Sequence, residues 1–184
     1  MKIGIVSDTH GCVDTWRQLF SRYFADADLI IHAGDVLYHG PRNKIPGEYD
    51  PMALAEEINN CRVPVIIACG NCDAEIDSMV VDFPVQAPYA YLVVNGLRIV
   101  VNHGHHLDDH SQYEMAVRMK AGLFITGHTH LARLEKRGNI VLLNPGSPAM
   151  SKREDKRGTI ALLQDNCLEI LAVDNGEMLA RQQL

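Results

Sequence analysis

The chain has 184 residues, enough to build a full hydrophobic core without disulfide or metal staples, so one domain spanning 1–184 is expected. Hydrophobic residues make up 47% of it, yet no apolar run approaches the ~20 residues that cross a bilayer, which excludes a membrane-spanning helix. The formal charge of −6 gives no strong case for nucleic acid, whose binding needs clustered lysine and arginine to neutralise several phosphates.

The opening, MKIGIVSDTHG, has too short an apolar core for a secretory signal, so a cytoplasmic chain is expected. Residues 2–7 read as a short buried strand. Trp16, Leu19, Phe20, Tyr23 and Phe24 then recur at helical spacing and predict an amphipathic helix. DLIIHA (28–33) reads as a second strand. A loop rich in glycine and proline runs to Asp50, where Asp-Pro opens a short helix carrying Leu54 and Ile58. VPVIIA (63–68) is the third strand. Strands alternating with helices predict right-handed crossovers and a parallel core, with functional loops at the C-terminal ends of the strands.

The second half changes character. AYLVVNGLRIVVNHG places an Asn-Gly turn between two β-rich runs, a strong hairpin signal. A helix is predicted over 111–121, with Ser111 and Glu114 at capping-box spacing and Gly122 at its stop. Turns at KRGN, QDN and DNG predict further hairpins, so mixed sheets are expected rather than one doubly wound sheet. The final strands, rich in Leu and Val, offer core and edges for a homo-oligomer.

Five cysteines, Cys12, Cys61, Cys69, Cys72 and Cys167, are odd in number and lack framework spacing, so disulfides are not expected. Cys69 and Cys72 have the spacing of a redox or zinc motif. No βαβ helix N-terminus and no second ligand pair accompanies them.

Five loops, each placed after an apolar strand, hold metal-capable groups. They are SDTHG with Asp8 and His10, HAGDV with Asp35, CGNCD with Asn71, VNHGHH with His103, and ITGHTHL with His128 and His130. Any one is ordinary turn chemistry; five in order, able to converge on one cleft, are far more specific. Mixed oxygen and imidazole donors suit manganese, iron, cobalt, nickel or zinc rather than calcium. Gly34, Gly70, Gly104 and Gly127 flank these residues, where a Cβ could obstruct a close approach.

In its D-x-H, G-D, G-N, H and G-H-x-H order the chain resembles the calcineurin-like metallophosphoesterases, from Asp8 to NPGS at 144–147. GDVLYHGPRN and GNCD narrow the likeness to the small bacterial YfcE-type phosphodiesterases. The resemblance implies an α/β fold of two mixed β-sheets packed as a sandwich flanked by helices. It also implies two divalent metal ions per chain, manganese first among them, with zinc, iron, nickel or cobalt as substitutes. Asp8, His10 and His130 would hold one ion, Asn71, His103 and His128 the other, and Asp35 would bridge them. The implied reaction is hydrolysis of a small phosphodiester by a hydroxide bridging the two ions. The alternative is a catalytically weak metal-binding scaffold of the same fold that binds protein partners.

Many members of the family carry His-Glu after the asparagine, where this chain has Cys72 and Asp73. A cysteine is a poor replacement for an acid that assists the leaving group. His105 is then a candidate catalytic and substrate-binding residue, with Asn71; the other possibility is a leaving group, such as a phenolate, that needs no proton. Arg42 and Asn43, in the 39–50 loop, are candidate substrate contacts. His32 reads as a core group, His106 and His110 as surface residues. SKREDKRG (151–158) reads as a solvated loop because Glu154 and Asp155 divide its positive charge.

Overall fold

A computed structural model describes all 184 residues. Strands β1 (Lys2–Val6), β2 (Leu29–His32), β3 (Val65–Ala68) and β4 (Val85–Gln86) run parallel at one side of a seven-stranded sheet. Helices α1 (Val13–Leu19), continued by a π-helical turn over Phe20–Phe24, and α2 (Pro51–Asn59) make the crossovers. A second, five-stranded sheet contains β5 (Ala90–Val94), β6 (Leu97–Val101), β7 (Leu123–Ile125), β8 (Arg133–Arg137) and β9 (Ile140–Asn144), in the order β5-β6-β7-β9-β8. Its only helix, α3, spans Asp109–Arg118. The chain then returns to the first sheet, where β10 (Thr159–Gln164), β11 (Cys167–Ala172) and β12 (Met178–Gln183) add antiparallel strands beside β1. Both sheets are mixed, as the hairpin signals predict.

Period-2 alternation sorts the side chains into layers. Ile3 and Ile5 of β1, Ile99 and Val101 of β6, Leu123 and Ile125 of β7, and Val141 and Leu143 of β9 fill the space between the sheets. Val100, Phe124 and Leu142, one residue out of phase, face the opposite way and pack with Ala116 of α3. On the other flank Trp16, Leu19 and Phe24 pack with Leu54 and Ile58 of α2. The result is helix, sheet, sheet, helix. It brings the C-terminal ends of β1, β2, β3, β6 and β7 to one edge.

Local rules hold at α2, where the Asp50 carboxylate accepts from Ala53 N–H as an N-cap. They fail at α3. The N-cap is Asp108, accepting from Ser111 N–H at 2.8 Å, so the helix begins at Asp109 rather than 111. It ends at Arg118, and the left-handed residue that follows is Lys120, not Gly122. No helix is long and apolar enough to cross a membrane.

Candidate active site

The loops that leave β1, β2, β3, β6 and β7 are tied to one another by backbone bonds across the edge. Asp8 N–H donates to Gly34 O at 2.9 Å, His10 N–H to Asp35 O at 3.1 Å, and Gly127 N–H to His103 O at 3.0 Å. NPGS closes the frame: Asn144 Nδ2 donates to Gly127 O, and Ser147 Oγ to Asp8 O. Asp8, His10, Asp35, His128 and His130 all adopt left-handed backbone, φ between 48° and 68°. Asp and His tolerate this region better than most residues but still incur roughly 1 kcal/mol each. Strain concentrated at five neighbouring polar residues marks the edge as the functional one. A Cβ at Gly70 would overlap Asp35 Oδ1, and one at Gly127 would overlap Ser7 Oγ, so both close approaches require glycine.

Asp8, His10, Asp35, His103 and His130 are all almost wholly buried. The three imidazoles share one device. Nδ1 of His10 donates to Tyr38 O, Nδ1 of His103 to Ala33 O, and Nδ1 of His130 to Met150 O, each at 2.7 Å. A carbonyl can only accept, so each ring must hold its proton on Nδ1 and present Nε2 inward. There His10 Nε2 faces His130 Nε2 at 3.1 Å, and Asp8 Oδ1 lies 3.3 Å from the latter. His103 Nε2 lies 3.3 Å from Asp35 Oδ2 and 3.8 Å from Asp8 Oδ1. Asp8 Oδ1 and His103 Nε2 are buried without a hydrogen-bond partner.

Lone pairs that face each other, two buried carboxylates and orphaned acceptors are unfavourable together unless a cation lies among them. The donor set therefore fits divalent metal. Asp8, His10 and His130 form one cluster of converging ligand atoms, and Asp8, Asp35 and His103 a second. Burial opposes the charge on Asp8, but His130 and His103, when protonated, hold its carboxyl below the usual range. Asp35 is likewise held down against burial by His103. His103 would lose its proton on burial alone, yet Asp35 and Asp8 raise it to about 9, so in the metal-free protein a proton supplies some of the missing positive charge.

Asn71 is exposed and His128 half-buried, both on the wall of a cleft of about 840 Å³ that also meets Asp35, His130, Arg42, Asn43 and Lys152. His128 lies beside His103, ring centroids 5.4 Å apart. Arg42 has no side-chain hydrogen bond and faces the cleft as a free cation, whereas Asn43 commits its Nδ2 to His39 O at 2.8 Å. His105 packs near His103 and His128 and opens toward two depressions, one of which shares His128 and Thr129 with this cleft. Lys152 is exposed, as expected of a solvated loop, and also lines the cleft. Its N–H donates to His130 O, while Arg153 pairs with Asp155 and Arg157 with Asp174 and Glu177.

Asp73 is a further residue of the site, with a role that no motif announces. Its carboxylate accepts from Asp35 N–H at 2.8 Å, Val36 N–H at 2.7 Å and Gly70 N–H at 2.7 Å. It clamps the Asp35 loop to the Asn71 loop, although an acidic residue two positions beyond Asn71 was the only local signal. Cys72 N–H donates to Asp35 Oδ1 at 2.8 Å, and burial together with Asp35 pushes the Cys72 thiol up to about 12. All five cysteines are free.

His32 is a satisfied core group, as expected. Nδ1 accepts from Gly34 N–H, and Nε2 pairs with Thr9 Oγ1. Burial pushes it from 6.5 down to about 4. The unfolded chain therefore gains this proton below about 6.5 while the folded chain refuses it, and the metal-free protein is expected to lose stability as pH falls from 6.5 toward 4. Thermal melts across that window check this; a His32→Asn variant with an equally steep pH dependence would exclude His32 as a source.

The domain model for the calcineurin-like phosphoesterase superfamily matches residues 1–166, and the chain belongs to that superfamily. Among individual proteins, it is 31% identical to phosphodiesterase YfcE of Escherichia coli K12 over 98% of this chain and 97% of that one. The solved structure of the E. coli phosphoesterase YfcE superposes with a TM-score of 0.87, covering 100% of this chain and 99% of that one. Vacuolar protein sorting 29 from Cryptosporidium parvum shares the fold, with a TM-score of 0.71 at 20% identity over 100% of this chain and 97% of that one.

Proposed function

We propose that this chain, acting as one domain, is a phosphodiesterase that uses two divalent metal ions, manganese foremost, to hydrolyse a small phosphodiester. The observation that carries the reading is the convergence of Asp8 Oδ1 with the Nε2 atoms of His10, His103 and His130 in a buried cluster, in which Asp8 Oδ1 and His103 Nε2 have no hydrogen-bond partner. Asp8, His10 and His130 would hold one ion, His103, His128 and Asn71 the other, and Asp35 both. Such ions, when bound, polarise a phosphoryl group and lower the pKa of coordinated water. The protein's own contribution is positional. Three backbone carbonyls fix the imidazole tautomers, Asp73 fixes the loop that carries Asp35, and Arg42 and Lys152 offer unpaired positive charge to an anionic substrate. The complete donor set supports hydrolysis over a partner-binding scaffold.

Hydrolysis of a phosphodiester panel with and without added Mn²⁺ tests the reading. Activity that survives metal removal by a chelator would overturn it.

Leaving-group assistance is a separate matter. Cys72 lines the cleft, its thiol pushed up in the metal-free protein by burial and by Asp35, and its sulfur lies among the converging ligand atoms of His10 and Asp35. A Cys72→His variant is expected to gain about tenfold or more in kcat on alkyl diesters, within the usual scale of general-acid catalysis, and little on aryl diesters. No gain on alkyl diesters would assign the proton to His105 or solvent.

A further inference from the structure

We infer that an apolar pocket beside the cleft receives an aromatic ester substituent of the substrate, so that the favoured phosphodiester carries an aryl group. This rests on the phosphodiesterase reading and specifies its substrate class. The pocket, about 380 Å³, is bounded by Leu37, Tyr38, Tyr49, Met52, Ile76 and Val80. Eight of its ten lining residues are hydrophobic, against three of fourteen in the cleft, so the two compartments suit different parts of one ligand. The volume suits a small organic group. Asp77 is its one charged neighbour and disfavours a second phosphate there.

Continuity with the cleft identifies the occupant. Tyr38, Cys72 and Ala74 line both spaces, so a ligand whose phosphate lies by Arg42 and Lys152 can extend into the pocket past Cys72. The shared wall is also fixed to the metal-ligand candidates: Tyr38 O accepts from His10 Nδ1, and Cys72 N–H donates to Asp35 Oδ1. The wall itself is stiff, because His39 packs edge-on against Tyr38 at 4.6 Å and against Tyr49 at 5.1 Å. Met52 and Ile76 are 54% and 67% exposed, apolar surface that a planar ring would cover.

Methyl NMR on the full chain, with and without Zn²⁺, tests the inference using (2-naphthylmethyl)phosphonate as a non-hydrolysable probe and methylphosphonate as control. The expected result is saturable shifts at Met52, Ile76 and Val80 with the naphthyl probe alone, while the core methyls of Ile5 and Val101 stay in place. The Met52→Gln/Ile76→Gln variant is expected to bind the probe about tenfold more weakly, the scale of a few lost apolar contacts. It is also expected to raise KM for bis(p-nitrophenyl) phosphate by a similar factor. Absent shifts, equal shifts with methylphosphonate, or unweakened binding by the variant would overturn the aryl pocket. Lack of metal-dependent hydrolysis by the wild type would overturn the phosphodiesterase reading instead, leaving the probe titration to decide the pocket.

Discussion

Replacing Asp35 with Asn is expected to lower metal-dependent diester hydrolysis about a hundredfold or more, about 3 kcal/mol of transition-state stabilisation. The carboxylate divides its oxygens between two tasks. Oδ1 accepts from Cys72 N–H, and Oδ2 lies 3.3 Å from His103 Nε2 and 3.8 Å from His10 Nε2. An amide keeps the shape, but if its oxygen stays with Cys72, its NH₂ group faces the imidazoles and any cation they hold. Bound metal per chain, measured alongside activity, is expected to fall. A second readout needs no metal: without the Asp35 charge and contact, His103 is expected to titrate below the value of about 9 that Asp35 and Asp8 together produce. A variant with full metal content and full activity would remove Asp35 from its bridging assignment.

Much of this arrangement was legible because it is local. Ile3, Ile5, Leu123 and Ile125 announce strands by alternation, and each strand end is followed within three residues by a candidate ligand. The spacing of Ser111 and Glu114 misled because Asp108, three residues upstream of Ser111, caps equally well, and the side chain that reached the free N–H prevailed. What the local sequence does not carry is long-range. Nothing within GNCD reveals that Asp73 bonds residues 35 and 36, and nothing within SKREDKRG separates Lys152 from the cations paired with Asp155, Asp174 and Glu177. The placement of β10 beside β1, against more than 150 residues of separation, is likewise a property of the packed sheets rather than of either segment.

Asp73→Ala is expected to cost about 3 kcal/mol of folding stability, because it leaves three N–H groups of the crowded loops without an acceptor, softened where cleft water can reach them. For a chain of this size that corresponds to a fall in Tm of roughly 10 °C. The three groups belong to Asp35, Val36 and Gly70, so the damage falls where the strand-end loops meet and not in either hydrophobic layer. Burial raises the Asp73 carboxyl even though the three donors favour its charge. Asp73→Asn keeps the volume and one strong acceptor, and is expected to recover part of the stability but little of the metal affinity, since the bonds that position the Asp35 loop are no longer all made. Metal titration of folded Asp73→Asn at low temperature separates the two effects. Wild-type affinity in that variant would make Asp73 a structural clamp only, whereas weakened affinity at retained fold would make it the residue that sets the position of Asp35.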